Sequence, residues 1–382
     1  MSQIKSKLPG ISRRQIVVLM SSALTGCGGG NLSALGPPGT GGTGFAALGS
    51  IAGFGSVIIN GTHIDDSVAS VAIDGVPSQP SDLRLGMVAH VLGERGKDVL
   101  SATASRIDVW SIAQGTISHV DGSEITVQGM KIQIDSGTVF DGFGSVAFVT
   151  AGLNVRVWGL QSGQGGERWI ATRLVVVSDP SAVSTGLCSI KSSQYLLNGM
   201  VMKGSIAGTI PAGDIIRVEG VYSSVDNTFA VSTFTSQALG SAVLTLSQIE
   251  IEGVVAALLP NKHFMLGTTE VDASGTAYSP TNGTLSVGDR IEIEGSWQGG
   301  LLVAKTIELR DEEQRRQVEI SGTIERFGGM GDFTVRGQRC DASSVLTIGN
   351  GVIADIKYGA KVKVKGTKTS DVLWVTSLDI LK

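Results

Sequence analysis

Residues 152–159 read GLNVRVWG, an alternating run bracketed by two glycines. The alternation is typical of a half-buried β-strand, with Val155 and Val157 facing inward and Arg156 and Trp158 facing outward. A glycine pair with the same spacing, and with a β-branched residue at the same inward position, occurs five times in the chain. The pairs are Gly86 and Gly93, Gly152 and Gly159, Gly213 and Gly220, Gly288 and Gly295, and Gly359 and Gly366. Recurrence at about 70 residues predicts an array of one small β-unit.

Two further markers recur around each glycine pair. A strand-opening glycine precedes the pair, and its copies are Gly49, Gly115, Gly186, Gly253 and Gly322. A small or β-branched residue, with an apolar residue three positions later, follows the pair. These residues are Ala104 and Ile107, Ala171 and Leu174, Val231 and Phe234, Ala304 and Ile307, and Val375 and Leu378. The three markers predict five units, which are residues 45–110, 111–180, 181–246, 247–314 and 315–382.

Each unit has room for five short strands, which are clearest in unit 2. The predicted strands there are residues 114–120, 124–128, 131–135, 153–158 and 169–177. Five short strands bury their apolar face by curling into a barrel, which also removes exposed sheet edges. The sequence therefore predicts an all-β chain of tandem five-stranded OB-like barrels. A propeller is the alternative, but its blades need only about 40–50 residues.

Unit 3 departs from the pattern of the other units. Its strand-opening glycine, Gly186, lies closer to the glycine pair than the equivalent glycines do in the other units. We therefore expect unit 3 to be degenerate, with a third strand that is shortened or missing.

The amino terminus, residues 1–26, is predicted to be a lipoprotein signal peptide. Basic residues precede the apolar run IVVLMSSAL, residues 16–24, which is too short to cross roughly 30 Å of hydrocarbon as a helix. The run leads into Leu24-Thr25-Gly26-Cys27, which is similar to a bacterial lipobox. Cleavage between Gly26 and Cys27 and lipid attachment to Cys27 are therefore expected. A plain cleavage site with an incidental cysteine is the alternative.

The same region bears on export and location. Ser12-Arg13-Arg14-Gln15-Ile16 resembles a twin-arginine signal, so export uses either this route or the Sec route. Gly28, and not an aspartate, follows Cys27, which favours the outer membrane. Residues 27–44 are predicted to form a Gly-rich tether. The expected location is the bacterial cell envelope, with the protein lipid-anchored at the outer membrane.

Composition excludes several classes of function. A net charge of −4 and an aromatic content of 5% argue against a nucleic-acid partner, which requires basic faces and stacking rings. The four histidines, His63, His90, His119 and His263, lie in three different units and do not form a metal-ligand pattern. Phosphate-loop, EF-hand and dinucleotide-binding motifs are lacking. The sequence predicts no catalytic residue, no metal site and no cofactor.

Two cysteines and three aspartates admit a structural interpretation. Cys188 and Cys340 stand at positions where other units carry apolar residues, which predicts small buried thiols. A disulfide between them is the alternative. Asp135, Asp272 and Asp341 each end a third strand, and we expect each side chain to bond its own turn. Calcium coordination is disfavoured because one carboxylate per unit is too few.

The outward positions of the fourth strand differ between units. Lys363 and Lys365 of unit 5 project outward, either as protection of an edge strand or as contacts to a polyanion such as lipopolysaccharide phosphate. Glu292 and Glu294 stand at the equivalent positions of unit 4. This complementarity suggests a contact between units 4 and 5.

The lipobox, the Gly-rich tether and the units together resemble bacterial envelope proteins that carry domain of unknown function 5666. The motifs that carry the resemblance are GTISHVDGSEITVQG at 115–129, GLNVRVWG at 152–159 and WIATRL at 169–174. The resemblance covers residues 49–382 and is best in units 2, 4 and 5. It implies an OB-like β-fold in lipoproteins or secreted proteins. It implies no established activity, and no catalytic residue is carried over.

The leading functional hypothesis is a non-enzymatic binding or spacer module, attached to the membrane through Cys27. The alternative is a glycan-binding or glycan-processing accessory protein of the envelope. Processing would need carboxylates from adjacent units facing each other at about 5–10 Å. Oligosaccharide binding would use exposed tryptophans, for which the candidates are Trp158, Trp169, Trp297 and Trp374. Partners would be an envelope glycan or another envelope protein. Extended beads would favour a spacer, and a closed bundle with a shared groove would favour ligand binding.

Overall fold

The computed structural model describes residues 44–98, 100–143, 145–205, 207–210, 214–236, 246, 248–280, 283–298 and 301–381. The predicted signal peptide, Cys27 and nearly all of the predicted tether lie outside the described residues. Within them, none of the helices is long and apolar enough to cross a membrane.

Strands account for most of the regular structure. Unit 1 contains β1 (Gly44–Ser50), β2 (Gly53–Phe54), β3 (Val57–Ile59), β4 (Thr62–Asp65), β5 (Ser70–Ile73), β6 (Val76–Ser78), β7 (Val88–Arg95) and β8 (Ser101–Val109). Unit 2 contains β9 (Ala113–Asp121), β10 (Glu124–Val127), β11 (Met130–Gln133), β12 (Val139–Asp141), β13 (Asn154–Gln161) and β14 (Arg168–Val176). Unit 3 contains β15 (Ala182–Lys191), β16 (Gln194–Leu197), β17 (Met200–Lys203), β18 (Ile215–Ser223) and β19 (Thr228–Ser236).

The remaining strands and the helices complete the element list. Unit 4 contains β20 (Gln248–Leu258), β21 (His263–Leu266), β22 (Thr269–Asp272), β23 (Ala277–Ser279), β24 (Arg290–Gln298) and β25 (Leu301–Leu309). Unit 5 contains β26 (Gln317–Gly329), β27 (Asp332–Val335), β28 (Gln338–Asp341), β29 (Ile348–Gly349), β30 (Lys361–Thr369) and β31 (Val372–Ile380). The α-helix α1 (Glu312–Arg316) joins units 4 and 5. Short 3-10 helices are Pro80–Asp82, Val146–Phe148, Ala207–Thr209, Pro260–Lys262 and Ile353–Asp355.

The strands of each unit close into a barrel. In unit 2, β9 pairs with β10, β10 with β11, β11 in parallel with β14, β14 with β13, and β13 again with β9. Units 3, 4 and 5 repeat this circuit, and in unit 1 the first strand is split into β1 and β2. The order 1-2-3-5-4-1 is that of an OB-like barrel. The prediction of small five-stranded barrels is therefore confirmed.

The two glycines of each pair have different tasks in the barrel. The first glycine turns the chain into the fourth strand with a positive φ, +75° at Gly86, +91° at Gly152, +97° at Gly288 and +83° at Gly359. Residues with a side chain rarely adopt this conformation, whereas glycine adopts it readily. Gly213 lies outside the described residues.

The second glycine of each pair lies where the fourth strand passes close to the fifth. A Cβ atom there would lie only 2.0–2.5 Å from a carbonyl oxygen of the fifth strand. The oxygens belong to Thr103, Ile170, Ala230, Val303 and Trp374. The register of the two strands also shifts at each of these glycines, which marks a β-bulge. The bend that the sequence predicted for the fourth strand is therefore present in every unit.

Unit 3 has a complete barrel, so the prediction of a shortened or missing third strand is wrong. Its third strand, β17, has four residues, as do β11, β22 and β28. β17 pairs in parallel with β19, with Val201 opposite Thr228. Units 2, 4 and 5 have a further short strand after the third strand, and unit 3 has none among its described residues. The shorter spacing in the sequence reflects this difference.

The barrel cores are apolar, as the alternation predicts. The central inward residue of the fourth strand is at most 1% exposed in all five units. Cys188 and Cys340 are fully buried in separate cores and do not form a disulfide. Burial raises the pKa of Cys188 to about 11 and that of Cys340 to about 12. The interpretation of these two residues as small core thiols is confirmed.

The units form a closed bundle in which neighbours in space are not always neighbours in sequence. The first strand of unit 1 pairs in parallel with unit 4, with Phe45 opposite Gln248. Its continuation β2 pairs in parallel with unit 5, with Gly53 opposite Glu319. Units 2 and 3 are joined separately by antiparallel pairing of β9 and β15. Unit 1 is thus flanked by units 4 and 5.

Unit 2 packs against unit 1 through the outer face of its fourth strand. Trp158 points away from its own barrel and is only 2% exposed, because it lies in the apolar cluster shared by units 1, 4 and 5. Arg173 of unit 2 donates a hydrogen bond to the carbonyl oxygen of Leu85 in unit 1 at 3.1 Å. Trp169 is also buried, whereas Trp374 is half exposed. The expectation that Trp158 and Trp169 serve as exposed sugar-stacking surfaces is therefore wrong.

Candidate functional site

The recurring aspartates bond their own turns. Asp135 accepts a hydrogen bond from the backbone of Gly137 at 2.8 Å, and Asp272 accepts one from Ser274 at 2.8 Å. Asp341 does the same with Ser343 at 2.8 Å. The structural interpretation of these aspartates is confirmed. Among the described residues there is no group of three or more histidine, cysteine or acidic side chains that is arranged to hold a metal ion.

The predicted contact between the acidic strand of unit 4 and the basic strand of unit 5 is wrong. Lys363 and Lys365 both pair with Glu319 on the neighbouring strand of their own barrel. Glu294 pairs with Lys305, and Glu292 pairs with Arg310. The strand β30 is hydrogen-bonded on both sides, to β26 and β31, so its lysines do not protect an edge either. Local partners within each barrel satisfy these charges.

A cavity lies where units 1, 2, 4 and 5 meet, and we call it the central cavity. Its volume is about 520 Å³, within the range of about 300–1,000 Å³ for small-molecule sites. Units 1 and 2 contribute Ser50, Asn60, His63, Gly137 and Thr172 to its wall. Unit 4 and the segment that joins it to unit 5 contribute Glu252, Arg290, Glu292, Arg310 and Arg315. Unit 5 contributes Glu319, Lys365 and Lys368.

A buried ion pair forms one wall of the central cavity. Arg290 donates through Nε to Glu252 at 2.5 Å, and both side chains are more than nine-tenths buried. Ser50 of unit 1 donates its backbone N–H and its hydroxyl to the same carboxylate at 2.7 and 2.8 Å. Burial raises the pKa of Glu252, but Arg290 and Ser50 outweigh it, so the pKa lies below its usual range. This pair is therefore charged and joins units 1 and 4.

The adjoining carboxylate, Glu292, is in a different electrostatic environment. Burial raises its pKa to about 7, although its hydrogen bond with Arg310 acts in the opposite direction. The nearby charges of Glu252 and Glu308 raise the pKa of Glu292 further. A carboxyl group with such a pKa changes its protonation state near neutral pH.

Two more ion pairs complete the charged lining. Arg315 donates to Asp135 of unit 2 at 2.7 Å, which links helix α1 to that unit. Lys365 lies 2.6 Å from the carboxylate of Glu319. Burial raises the pKa of Glu319, but Lys363 and Lys365 outweigh this, and the pKa is lowered. Each of these cations is thus matched by a carboxylate.

Lys368 is the exception among the cations of the cavity wall. Its side chain is 1% exposed, and its ammonium donates to the carbonyl oxygens of Thr138 in unit 2 at 2.7 Å and of Ser370 at 3.5 Å. In the described part of the chain, no carboxylate lies within ion-pair distance of it. Burial lowers the pKa of Lys368 to about 8.

Three residues of the cavity wall also bury a polar atom that lacks a hydrogen-bond partner within the described chain. These atoms are Asn60 Oδ1, Thr172 Oγ1 and Arg310 Nε. A buried polar atom without a partner costs about 1–3 kcal/mol. The wall of the central cavity is therefore polar and charged, and some of its residues bury polar atoms without partners.

This site was not predicted from the sequence, although unit 5 carries one signal of it. Lys368 lies opposite Leu373 in the register of β30 and β31, on the side of the barrel core. The equivalent residues of units 3 and 4 are Tyr222 and Trp297, opposite Phe229 and Leu302. Units 1 and 2 carry the polar residues Arg95 and Gln161 at this position. The signal in unit 5 is therefore the lysine itself, because a buried ammonium on the core side of a strand needs polar partners. The signal becomes visible only when the inward and outward alternation of the fourth strand is followed beyond its second glycine, Gly366, to Lys368.

Comparisons with known proteins identify the repeated domain. Residues 114–174 and 252–308, within units 2 and 4, match the family model described as "Domain of unknown function (DUF5666)". A solved structure of drosophila Unr CSD456 aligns over 71% of this chain and 97% of that chain at 10% identity. Its TM-score of 0.14 is too low to bear on the fold or on function. No curated protein matches this chain significantly. The chain therefore contains repeats of the DUF5666 domain, in units 2 and 4.

Proposed function

We propose that this chain is a non-enzymatic binding protein of the bacterial cell envelope, held by a lipid on Cys27, which takes up a small polar solute in the central cavity. The cavity is the observation that carries the proposal. Four of the five units contribute to its wall, and units 4 and 5 supply its charged side chains. A spacer made of independent beads would not need such a shared cavity.

A variant that obstructs the cavity tests this function. Gln317 lies at the cavity wall, is exposed and stands at the start of β26. We expect Gln317→Trp to weaken the binding of solutes in calorimetric titrations with neutral sugars, acidic sugars and sugar phosphates. Gln298→Trp is the matched control, because Gln298 is exposed at the end of β24 and away from the cavity. Equal binding by both variants and by the unmodified protein would refute the use of this cavity.

The lipid anchor has its own test. Labelled palmitate is expected to be incorporated into the exported chain and to be lost in Cys27→Ala. Cys188→Ala is the matched control, because that thiol is fully buried in the core of unit 3. Labelling that persists in Cys27→Ala would remove the anchor from the proposal. Fractionation of the labelled cells checks the expected location at the outer membrane.

Glycan processing is a second candidate, and one observation favours it. Glu292 of unit 4 and Glu319 of unit 5 line the same cavity, and the two carboxyl groups have pKa values displaced in opposite directions. A raised and a lowered pKa suit a general acid and an ionised partner. Hydrolysis of envelope glycan that is abolished by Glu292→Gln would favour this candidate. Binding without turnover would favour the first.

A further inference from the structure

The cations of the central cavity are matched by carboxylates with one exception. Arg290, Arg310, Arg315 and Lys365 are each paired with a carboxylate, from Glu252, Glu292, Asp135 and Glu319 respectively. Lys368 has none within ion-pair distance in the described chain. Protonated Lys368 is therefore the cation of the cavity wall that no carboxylate of the described chain pairs with directly.

A buried ammonium without a counter-charge lowers the stability of the folded protein. Its presence in the cavity wall therefore indicates that a ligand supplies the counter-charge. Removing a charge from water costs several kcal/mol unless a counter-charge and hydrogen bonds compensate it. The two carbonyl oxygens that contact Lys368 supply hydrogen bonds but no counter-charge. An ammonium has three donors, so one N–H of Lys368 remains for a further acceptor.

We propose that the solute of the central cavity carries one oxyanion group, a carboxylate or a phosphate, which pairs with the Lys368 ammonium. This inference rests on the proposed use of the cavity as a binding site and assigns the charge of its ligand. The remainder of the solute would be polar and uncharged. Hydroxyl groups would suit this lining, because uncharged polar residues such as Asn60, Thr172 and Gln317 contribute to the wall.

The surroundings of Lys368 set the pH dependence of this binding. Burial is the main cause that lowers its pKa to about 8, and Arg316 and Arg173 lower it further, whereas Asp135 and Asp371 raise it. A bound anion would stabilise the ammonium and raise this pKa. Binding near pH 8 is therefore accompanied by proton uptake, and the affinity falls as the pH rises above the pKa of the free protein.

The decisive experiment compares three probes by calorimetric titration of the full exported chain. Glucuronate carries a carboxylate, glucose 6-phosphate carries a phosphate, and glucose carries no charge. We expect at least one anionic probe to bind about 10- to 100-fold more tightly than glucose. Lys368→Met should remove this preference, while Lys368→Arg should retain it. Lys361→Met, on the exposed face of the same strand, should have no effect.

The outcomes separate this inference from the proposed function. Equal affinity for glucose and both anions, unchanged in Lys368→Met but reduced in Gln317→Trp, would overturn the anionic ligand and keep the cavity as a binding site. If Gln317→Trp does not change the binding of any probe, both the use of the cavity as a binding site and the anionic ligand are refuted. If Lys368→Met does not fold, the pH series on the unmodified protein decides. A loss of anion affinity of about tenfold or more between about pH 7 and about pH 9.5 is expected, and a flat profile contradicts the inference.

Discussion

In unit 5 glycine is required both just before the fourth strand and within it, and the structure separates the two causes. At Gly359 the backbone has a φ of +83° and no atom would obstruct a Cβ within 4 Å. At Gly366 the φ is not positive, but a Cβ would lie 2.0 Å from the carbonyl oxygen of Trp374. The first glycine is therefore needed for its conformational freedom and the second for its lack of a side chain.

Gly366→Ala is expected to lower the free energy of unfolding by about 1–3 kcal/mol, because β30 and β31 must separate to admit the new methyl group. Urea unfolding of the purified protein measures this change. Gly275→Ala is the matched control, since a Cβ at Gly275 meets nothing within 4 Å and its φ is not in the left-handed region. The explanation fails if the two variants are equally stable.

Glu292 gives the protein a pH-dependent stability. Its pKa of about 7 in the folded state lies above the usual value of 4.5, so the folded state binds its proton more tightly than the unfolded state does. The stability that it contributes is present below about pH 4.5 and is lost as the pH rises towards 7, by about 1.4 kcal/mol per unit of pKa shift. Urea unfolding across this range should show a smaller loss in Glu292→Gln. An unchanged slope would contradict the raised pKa.

At the scale of the elements, the junction between units 1 and 5 depends on the pairing of two strands, β2 and β26. β2 of unit 1 and β26 of unit 5 run in parallel, and at Gly53 the chains approach so closely that a Cβ would lie 2.5 Å from the carbonyl oxygen of Glu319. A glycine at this point therefore permits a sheet to continue from one barrel into the next.

Gly53→Ala is expected to separate β2 from β26 while leaving the barrel of unit 2 intact. Amide hydrogen exchange should accelerate at Phe54 and Ile320, which are paired across this junction. Exchange in the core of unit 2, for example at Val157, should not change. Acceleration in unit 2 as well would indicate a general loss of stability rather than a local opening.

The strands were predictable from the sequence because their information is local. Alternation around Val155 and Val157 reports burial on one face of one strand, whatever the strand packs against. The burial of Trp158 was not predictable, since its outward position gives no sign that unit 1 covers it. Lys368 acquires its environment from Thr138, which lies 230 positions away in the chain. Contacts at this separation leave no periodic signal.

At the scale of the molecule, the pairing of unit 1 with units 4 and 5 predicts a compact particle. A compact body of this size has a radius of gyration of about 20 Å. Five barrels in a row would have a distinctly larger radius of gyration. Small-angle X-ray scattering of the Cys27→Ala chain, which lacks the proposed lipid attachment site, distinguishes the two. A maximum dimension typical of a string of beads would contradict the closed bundle and the central cavity with it.

The parallel pairing of β1 with β20 also constrains the order in which the units can fold during synthesis. The chain leaves the ribosome from its amino terminus, so unit 1 emerges long before its partners in units 4 and 5. Units 2 and 3, which pair with each other, can complete their joint sheet in the meantime. The first strand to arrive is thus among the last to be covered, and until then its open edge is exposed to unwanted pairing with other chains. Unit 1, which is nearest the proposed membrane attachment, can therefore complete its packing only after units 4 and 5 have been synthesised.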